Sequence, residues 1–199
     1  MSRLIFASLL VGTALAGPVL ARDVTGTVAY RERIALPDGA EETDPSFHHH
    51  TADDLPTYEG GGMMARLIAG KQFGAEAKVK VHSPMFYVHW ALQPGAKALL
   101  PAEYPERAAY VAQGVVEAAG RHFTAGQMVV FEPGQPVLFT AATDAIVMLL
   151  GGEPMDGPRF VWWNFVSSRK ETMIAAAHEW EAGLMGRVPG DEDEFIPMK

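Results

Sequence analysis

At 199 residues the chain holds one domain of ordinary size, or one domain with an appendage. Its composition, 48% apolar and 20% charged, is that of a globular protein. The absence of cysteine excludes a disulfide framework, a cysteine zinc site and a thiol nucleophile. A net charge of −8 argues against non-specific binding to nucleic acid or to an anionic membrane, since both need clustered Lys and Arg.

The first 21 residues have the anatomy of a secretory signal peptide. Arg3 supplies a positive start, residues 4–17 are apolar and uncharged, and Pro18-Val19-Leu20-Ala21 offers a cut after Ala21. The apolar run is too short to span a bilayer comfortably, and no cysteine follows it for a lipid anchor. The expected mature protein starts at Arg22 and is periplasmic or secreted, free of the membrane once cleaved. Residues 23–34 are β-branched and aromatic enough for a strand, and Leu36-Pro37-Asp38-Gly39 turns the chain. The segment VTGTVAYRERIALPDGA resembles the opening of the YbaY-like lipoprotein family, so residues 22–40 form a candidate fragment of that kind. Residues 41–62 read as a flexible linker, rich in Asp, Glu, Pro, Thr and Gly and closed by Gly60-Gly61-Gly62. Within it, His48, His49 and His50 are weak metal candidates, because adjacent histidines in a loop lack fixed geometry and supporting hydrogen bonds.

Residues 63–199 form the main domain. Strands are predicted at 64–69, 77–82, 85–92, 97–100, 108–113, 115–118, 122–123, 127–131, 137–141 and 146–150. Short strands with Pro-Gly, Ala-Gly and Gly-Gly turns point to a barrel or two-sheet sandwich. In 85–92 the even positions Phe86, Val88, Trp90 and Leu92 are apolar, so they face the core and His89 faces away. Residues 160–166, FVWWNFV, are apolar on both parities, as in a strand covered on both sides. A helix follows. Ser168 and Glu171 have capping-box spacing, Met173, Ala177, Trp180 and Leu184 share one face, and Gly186 is a natural C-cap. The acidic run 191–194 is solvated, and Phe195-Ile196 is a candidate final anchor.

The Pro94-Gly95 turn, the loop after it and a strand ending at Gly114 outline a cupin frame. A metal-holding cupin follows the pattern P-G-x5-H-x-H-x3,4-E-x6-G, because two histidines on one strand face the same way and a neighbouring strand adds a carboxylate. Counting from Gly95 puts Pro101 and Glu103 at the histidine positions and Arg107 or Ala108 at the carboxylate position, with Glu106 one residue early. A third histidine belongs near Val137, and none is there. A proline cannot ligate and an arginine repels the ion, so no metal is expected by this constellation. A Ser-His-Asp hydrolase lacks its G-x-S-x-G elbow, and the glycine run lacks the Lys-Ser/Thr of a phosphate loop.

The segments LPAEYPERAAYVAQGVVE, MLLGGEPMDGPRFVWWNFVSSRKE and EFIP are similar to the C-terminal half of bacterial pirins. The resemblance implies an all-β fold: a single cupin-like jelly-roll barrel with a C-terminal α-helix. It also implies that an iron on three His and one Glu belongs to the family's N-terminal barrel, whose motif this chain lacks, and that some members act on quercetin as 2,3-dioxygenases. No catalytic residue carries over. The first expectation is a non-catalytic binding or interaction module, with no cofactor. Its pocket candidates are Glu103, Tyr110 and Asn164. A small-molecule ligand is of unknown class, and self-association would use the surface that faces the second barrel in full-length pirins. The alternatives are a pirin-type quercetin 2,3-dioxygenase using iron or another divalent metal, drawing on His48, His49, His50, His82, His89 or His122, and a fusion of two gene fragments. Bacterial pirins generally lack signal peptides, so a cytoplasmic location is the alternative to export.

Overall fold

The computed structural model describes residues 21–24, 35–43, 48–185 and 196–198, the first four as backbone alone. The expected signal segment, most of the 22–40 fragment, Gly186 and the acidic run lie outside the described residues. The described residues fall into two compact units.

The first unit, residues 48–154 with strand β1 (Ala21–Val24), is the jelly-roll barrel. In chain order its strands are β2 (Thr57–Gly60), β3 (Met63–Gln72), β4 (Ala75–Glu76), β5 (Met85–Leu92), β6 (Lys97–Leu100), β7 (Glu106–Gln113), β8 (Val115–Ala118), β9 (Arg121–Thr124), β10 (Met128–Phe131), β11 (Val137–Ala141) and β12 (Ala145–Gly152). The larger sheet runs β1-β10-β7-β12-β5-β3-β2, with β4 on β3, and the smaller runs β6-β11-β8-β9. The described pairings are antiparallel. β5 has the alternation its sequence predicts, with Phe86, Val88, Trp90 and Leu92 buried and Tyr87 and His89 on the opposite face. Burying such side chains contributes about 1.5–3 kcal/mol each. Trp90 and Phe131 of the larger sheet meet Phe139 of the smaller edge-on, at 5.5 and 5.7 Å between centroids. These contacts add about 0.5–1.5 kcal/mol apiece and fix how the sheets face each other.

Two stretches differ from the sequence reading. The Gly-Gly pair that was expected to end a linker is a hairpin loop. Gly61 and Gly62 have φ of +60° and +79° and join β2 to β3, as a type I′ turn requires. Residues 77–82 are not a strand. The β3 ladder ends where the Ala77 N–H donates to Gly70 O at 2.9 Å, and the chain then bends. Lys78 there meets Asp54 at 3.1 Å, and Asp54 also accepts from the Thr51 N–H and hydroxyl. The Thr51 hydrogen bonds, then Lys78, lower the Asp54 carboxyl to about 2 from 3.8. The folded value lies below the unfolded one, so this contribution is complete above pH 3.8 and is lost as pH falls through about 2. The stability difference between wild type and Asp54→Asn should therefore shrink across that window, as read by acid titration of unfolding midpoints.

Gly114 closes β7 with φ +79°. A Cβ there would run into the Asp144 carbonyl and sit 2.9 Å from Ala145 Cα. Gly114→Ala should lower stability by about 1–3 kcal/mol, measured as a shifted urea midpoint. An unchanged midpoint would show that the turn relaxes freely.

The second unit holds residues 35–43, 155–185 and 196–198 of those described. FVWWNFV, expected as one covered strand, is instead a hairpin of β13 (Phe160–Trp162) and β14 (Phe165–Ser167). Trp163 turns the chain at φ +51°. This leaves Phe160, Val161 and Trp162 exposed and Phe165 fully buried. Helix α1 (Lys170–Glu181) packs Met173, Ala176 and Ala177 on Phe165, flanked by Trp163 and Trp180. Its N-cap is Arg169 with no side-chain cap bond, so the expected Ser168–Glu171 capping box does not form. It ends at Ala182, before the expected C-cap, with Gly183 at φ +69° and Leu184 exposed. The Trp180 indole donates to Ile196 O at 2.9 Å, so the tail anchors through a backbone carbonyl while the Ile196 side chain stays exposed.

Ser168 is occupied elsewhere. Glu41, only 8% exposed, accepts from the Ser167 hydroxyl (3.0 Å), the Ser168 hydroxyl (3.0 Å) and the Ser168 N–H (2.7 Å). It also pairs with buried Arg159 at 3.0 Å. Arg159 in turn donates to Leu36 O and Gly157 O. The first residue of the presumed linker is thus the centre of a buried clasp.

Candidate functional site

The metal frame converges on β7 and the end of β6. Pro101 and Glu103 lie past the last residue of β6, not on a strand. Arg107 shares the parity of Ala109 and Val111, so its side chain is buried, at 0% exposure. Its Nη1 donates to Pro101 O at 3.0 Å and its Nη2 to Glu132 O at 2.7 Å. Burial pushes the guanidinium below its ordinary value, but arginine stays charged in proteins. The third-histidine position, Val137, packs in the core. A fixed cation held by carbonyls stands where a carboxylate ligand would be, and these residues do not fit an iron on three His and one Glu. Among the described residues no three or more His, Cys, Asp or Glu come together to hold an ion.

The histidines are dispersed. His48 and His49 are exposed and His50 half-buried in the loop before a short 3-10 turn, His82 is in a bend, and His122 is exposed on β9. His89 faces outward, as its parity predicts. It lies in a cross-strand row Arg66–His89–Met148–Tyr110–Met128 on the larger sheet. Burial, then the Arg66 charge, lowers the His89 pKa.

The expected pocket residues separate. Tyr110 belongs to that outer row, because its parity is opposite to that of Arg107 and Ala109. Asn164 is in the β13–β14 turn of the second unit. Glu103 alone lines a cavity. A hollow of about 380 Å³ at the barrel mouth is bounded by Lys71, Gln72, Gly74, Ala75, Glu76 and Glu103. Next to Glu103, the Tyr104 hydroxyl donates to Lys71 O at 3.2 Å, and its ring lies 5.4 Å from Phe86. Burial, then the nearby Glu103 charge, raises its pKa, which keeps it a neutral donor. Gln72, which sequence reasoning missed, is 1% exposed. A bulge between Leu67 and Ala69 flips the strand parity and turns this glutamine inward. No local signal marks that bulge.

Residues 87–186 match the family profile of the pirin C-terminal cupin domain. The chain is 57% identical over 166 residues to a pirin-like protein of Caulobacter vibrioides, covering 83% of this chain and 57% of that protein. It is 27% identical over 162 residues to pirin-1 of Arabidopsis thaliana, covering 77% and 56%. Among solved structures, a quercetin 2,3-dioxygenase from Acinetobacter baumannii superposes with a TM-score of 0.75 at 29% identity, covering 83% of this chain and 56% of that one. The chain spans about half the length of the curated relatives it matches. By the jelly-roll barrel, the C-terminal helix and the matched residues, the chain belongs to the pirin family, of which it carries the C-terminal cupin domain.

Proposed function

We propose that this barrel is a non-catalytic binding module that works without a metal. The Arg107 guanidinium carries the reading: it is buried at a ligand position, with Nη1 on Pro101 O and Nη2 on Glu132 O. A like charge in the ligand frame opposes binding of a divalent ion. The solved neighbour is named a quercetin 2,3-dioxygenase, and metal-dependent turnover of that flavonol is the competing reading. Elemental analysis and a quercetin assay on one untagged sample decide between them. The expected result is no stoichiometric metal and no turnover. Stoichiometric iron together with turnover would sink the proposal.

Export follows from the composition of residues 1–21, with a periplasmic product beginning at Arg22. Mass spectrometry of the native N-terminus tests it, and a cytoplasmic protein retaining Met1 or Ser2 would contradict it. A second copy is a proposed partner, tested by size-exclusion chromatography with light scattering.

A further inference from the structure

The β3–β4 hairpin covers part of the barrel core with a strained residue. Its loop, Phe73-Gly74, has φ of +54° and +75°, the geometry of a type I′ turn. Glycine adopts it freely, whereas a phenylalanine there is a steric outlier. The Phe73 ring lies on Trp90, with centroids 6.1 Å apart and planes 24° from parallel. Strain of this kind persists where the surroundings hold it, and it clusters at ligand clamps and switches.

Phe73 joins two unsatisfied groups. Gln72, its chain neighbour, is 1% exposed, and neither its amide oxygen nor its amide nitrogen has a hydrogen-bond partner. Trp90, its stacking partner, is fully buried, and its indole N–H has none either. Buried polar side chains are nearly always paired, so unpaired atoms on the chain neighbour and on the stacking partner of one strained residue mark a missing partner. The hollow at the barrel mouth reaches Gln72 and Gly74 from outside.

The chemistry of the missing partner follows from the groups that wait for it. Gln72 and Trp90 are both uncharged, and a buried charge facing them would be unpaired and strongly disfavoured. The amide asks for one acceptor and one donor, and the indole asks for a second acceptor interaction. The wall against Trp90 is an aromatic face, which favours a flat ring. We propose that Phe73 gates a cryptic site in the barrel, and that the ligand is a small neutral aromatic carboxamide or cyclic amide. Its ring replaces Phe73 on the indole face, and its amide pairs with the Gln72 side chain. Site opening of this kind is a minor conformation made dominant by the ligand. The inference rests on the reading of the barrel as a binding module. It is tested by titration rather than by metal content, so the two can fail separately.

The probe is benzamide, followed by two-dimensional nitrogen–proton NMR of the intact protein. The Trp90 indole and Gln72 side-chain signals are assigned by their loss in Trp90→Phe and Gln72→Met. Both should shift along one saturable curve, with a Kd no weaker than about 10 mM for a fragment of this size. Gln72→Met should weaken binding about tenfold or more. It should also raise Tm, because it removes an unpaired buried amide, so a failure to fold is not expected. Phe73→Gly relieves the left-handed strain, opens the mouth and should tighten binding by about three- to tenfold. The proposal is overturned if neither signal moves in wild type or in Phe73→Gly. It is equally overturned if benzoate, flat but charged, binds as tightly as benzamide.

Discussion

Glu41→Ala is expected to destabilise the protein by about 2–4 kcal/mol. The carboxylate accepts three hydrogen bonds from Ser167 and Ser168 and faces Arg159 at 3.0 Å. Both partners of the ion pair are more than nine-tenths buried, with side-chain exposures of 8% and 7%. Surface screening therefore does not dilute the interaction. Removing the carboxylate leaves the Ser167 and Ser168 hydroxyls without their acceptor and leaves Asp156 as the carboxylate partner of the Arg159 guanidinium. The measurement is equilibrium urea unfolding followed by tryptophan fluorescence, which reports on Trp163 and Trp180 near α1. Glu41→Leu combined with Arg159→Met removes both members of the pair and should cost less than the sum of the two single variants. A double variant as unstable as the sum of the singles would mean that the hydroxyl bonds, not the charge pair, dominate.

The second large effect concerns Arg107. Arg107→Met keeps most of the side-chain volume and removes the two donors that satisfy Pro101 O and Glu132 O. Both bonds are only partly buried, so water can reach the freed carbonyls, and a loss of about 1–3 kcal/mol is expected in the same unfolding assay. Arg107→Lys should fall between, since one ammonium replaces a fork whose two nitrogens reach separate carbonyls. The chelator experiment belongs with this variant. If the guanidinium serves as the barrel's internal cation, the wild-type Tm should be unmoved by EDTA or by added iron. A Tm that rises with iron would instead indicate a metal that binds the folded state.

The two substitutions probe different units, so their effects should add. Residues 41 and 159 lie in the unit that holds α1, and residue 107 lies in the barrel. Departure from additivity would indicate energetic coupling between the units.

Much of this could be read from the chain. Period-2 alternation in β5 identified the buried row Phe86, Val88, Trp90 and Leu92, because side chains on a pleated strand alternate whatever the surroundings. The same rule turned His89 outward. Counting from Gly95 put Arg107 or Ala108 in a ligand position, since turn geometry and strand spacing are local. Parity would also have excluded Tyr110 from the mouth, because it lies an odd number of residues from Arg107 on the same strand.

Other features were settled only by contacts between distant segments. Ser168 has the spacing of a helix cap, yet its hydroxyl goes to Glu41, 127 residues away in sequence. No local pattern reveals which of two acceptors a serine will meet. FVWWNFV looks like one buried strand because hydrophobicity does not encode the left-handed turn at Trp163, which its packing on Trp180 and Phe165 holds. Gln72 reads as an ordinary surface residue until the bulge before Ala69 reverses the strand's faces. The amino-acid sequence by itself thus determined the barrel and its family, both of which depend on residue type and short-range spacing. Only the tertiary structure decided which polar groups are buried and what they face: Arg107 on two carbonyls, Glu41 on two serines and an arginine, and Gln72 and Trp90 on nothing yet. Hydrogen-bond partners at long sequence separation are chosen by the packing of whole elements, and that choice is not written in any one of them.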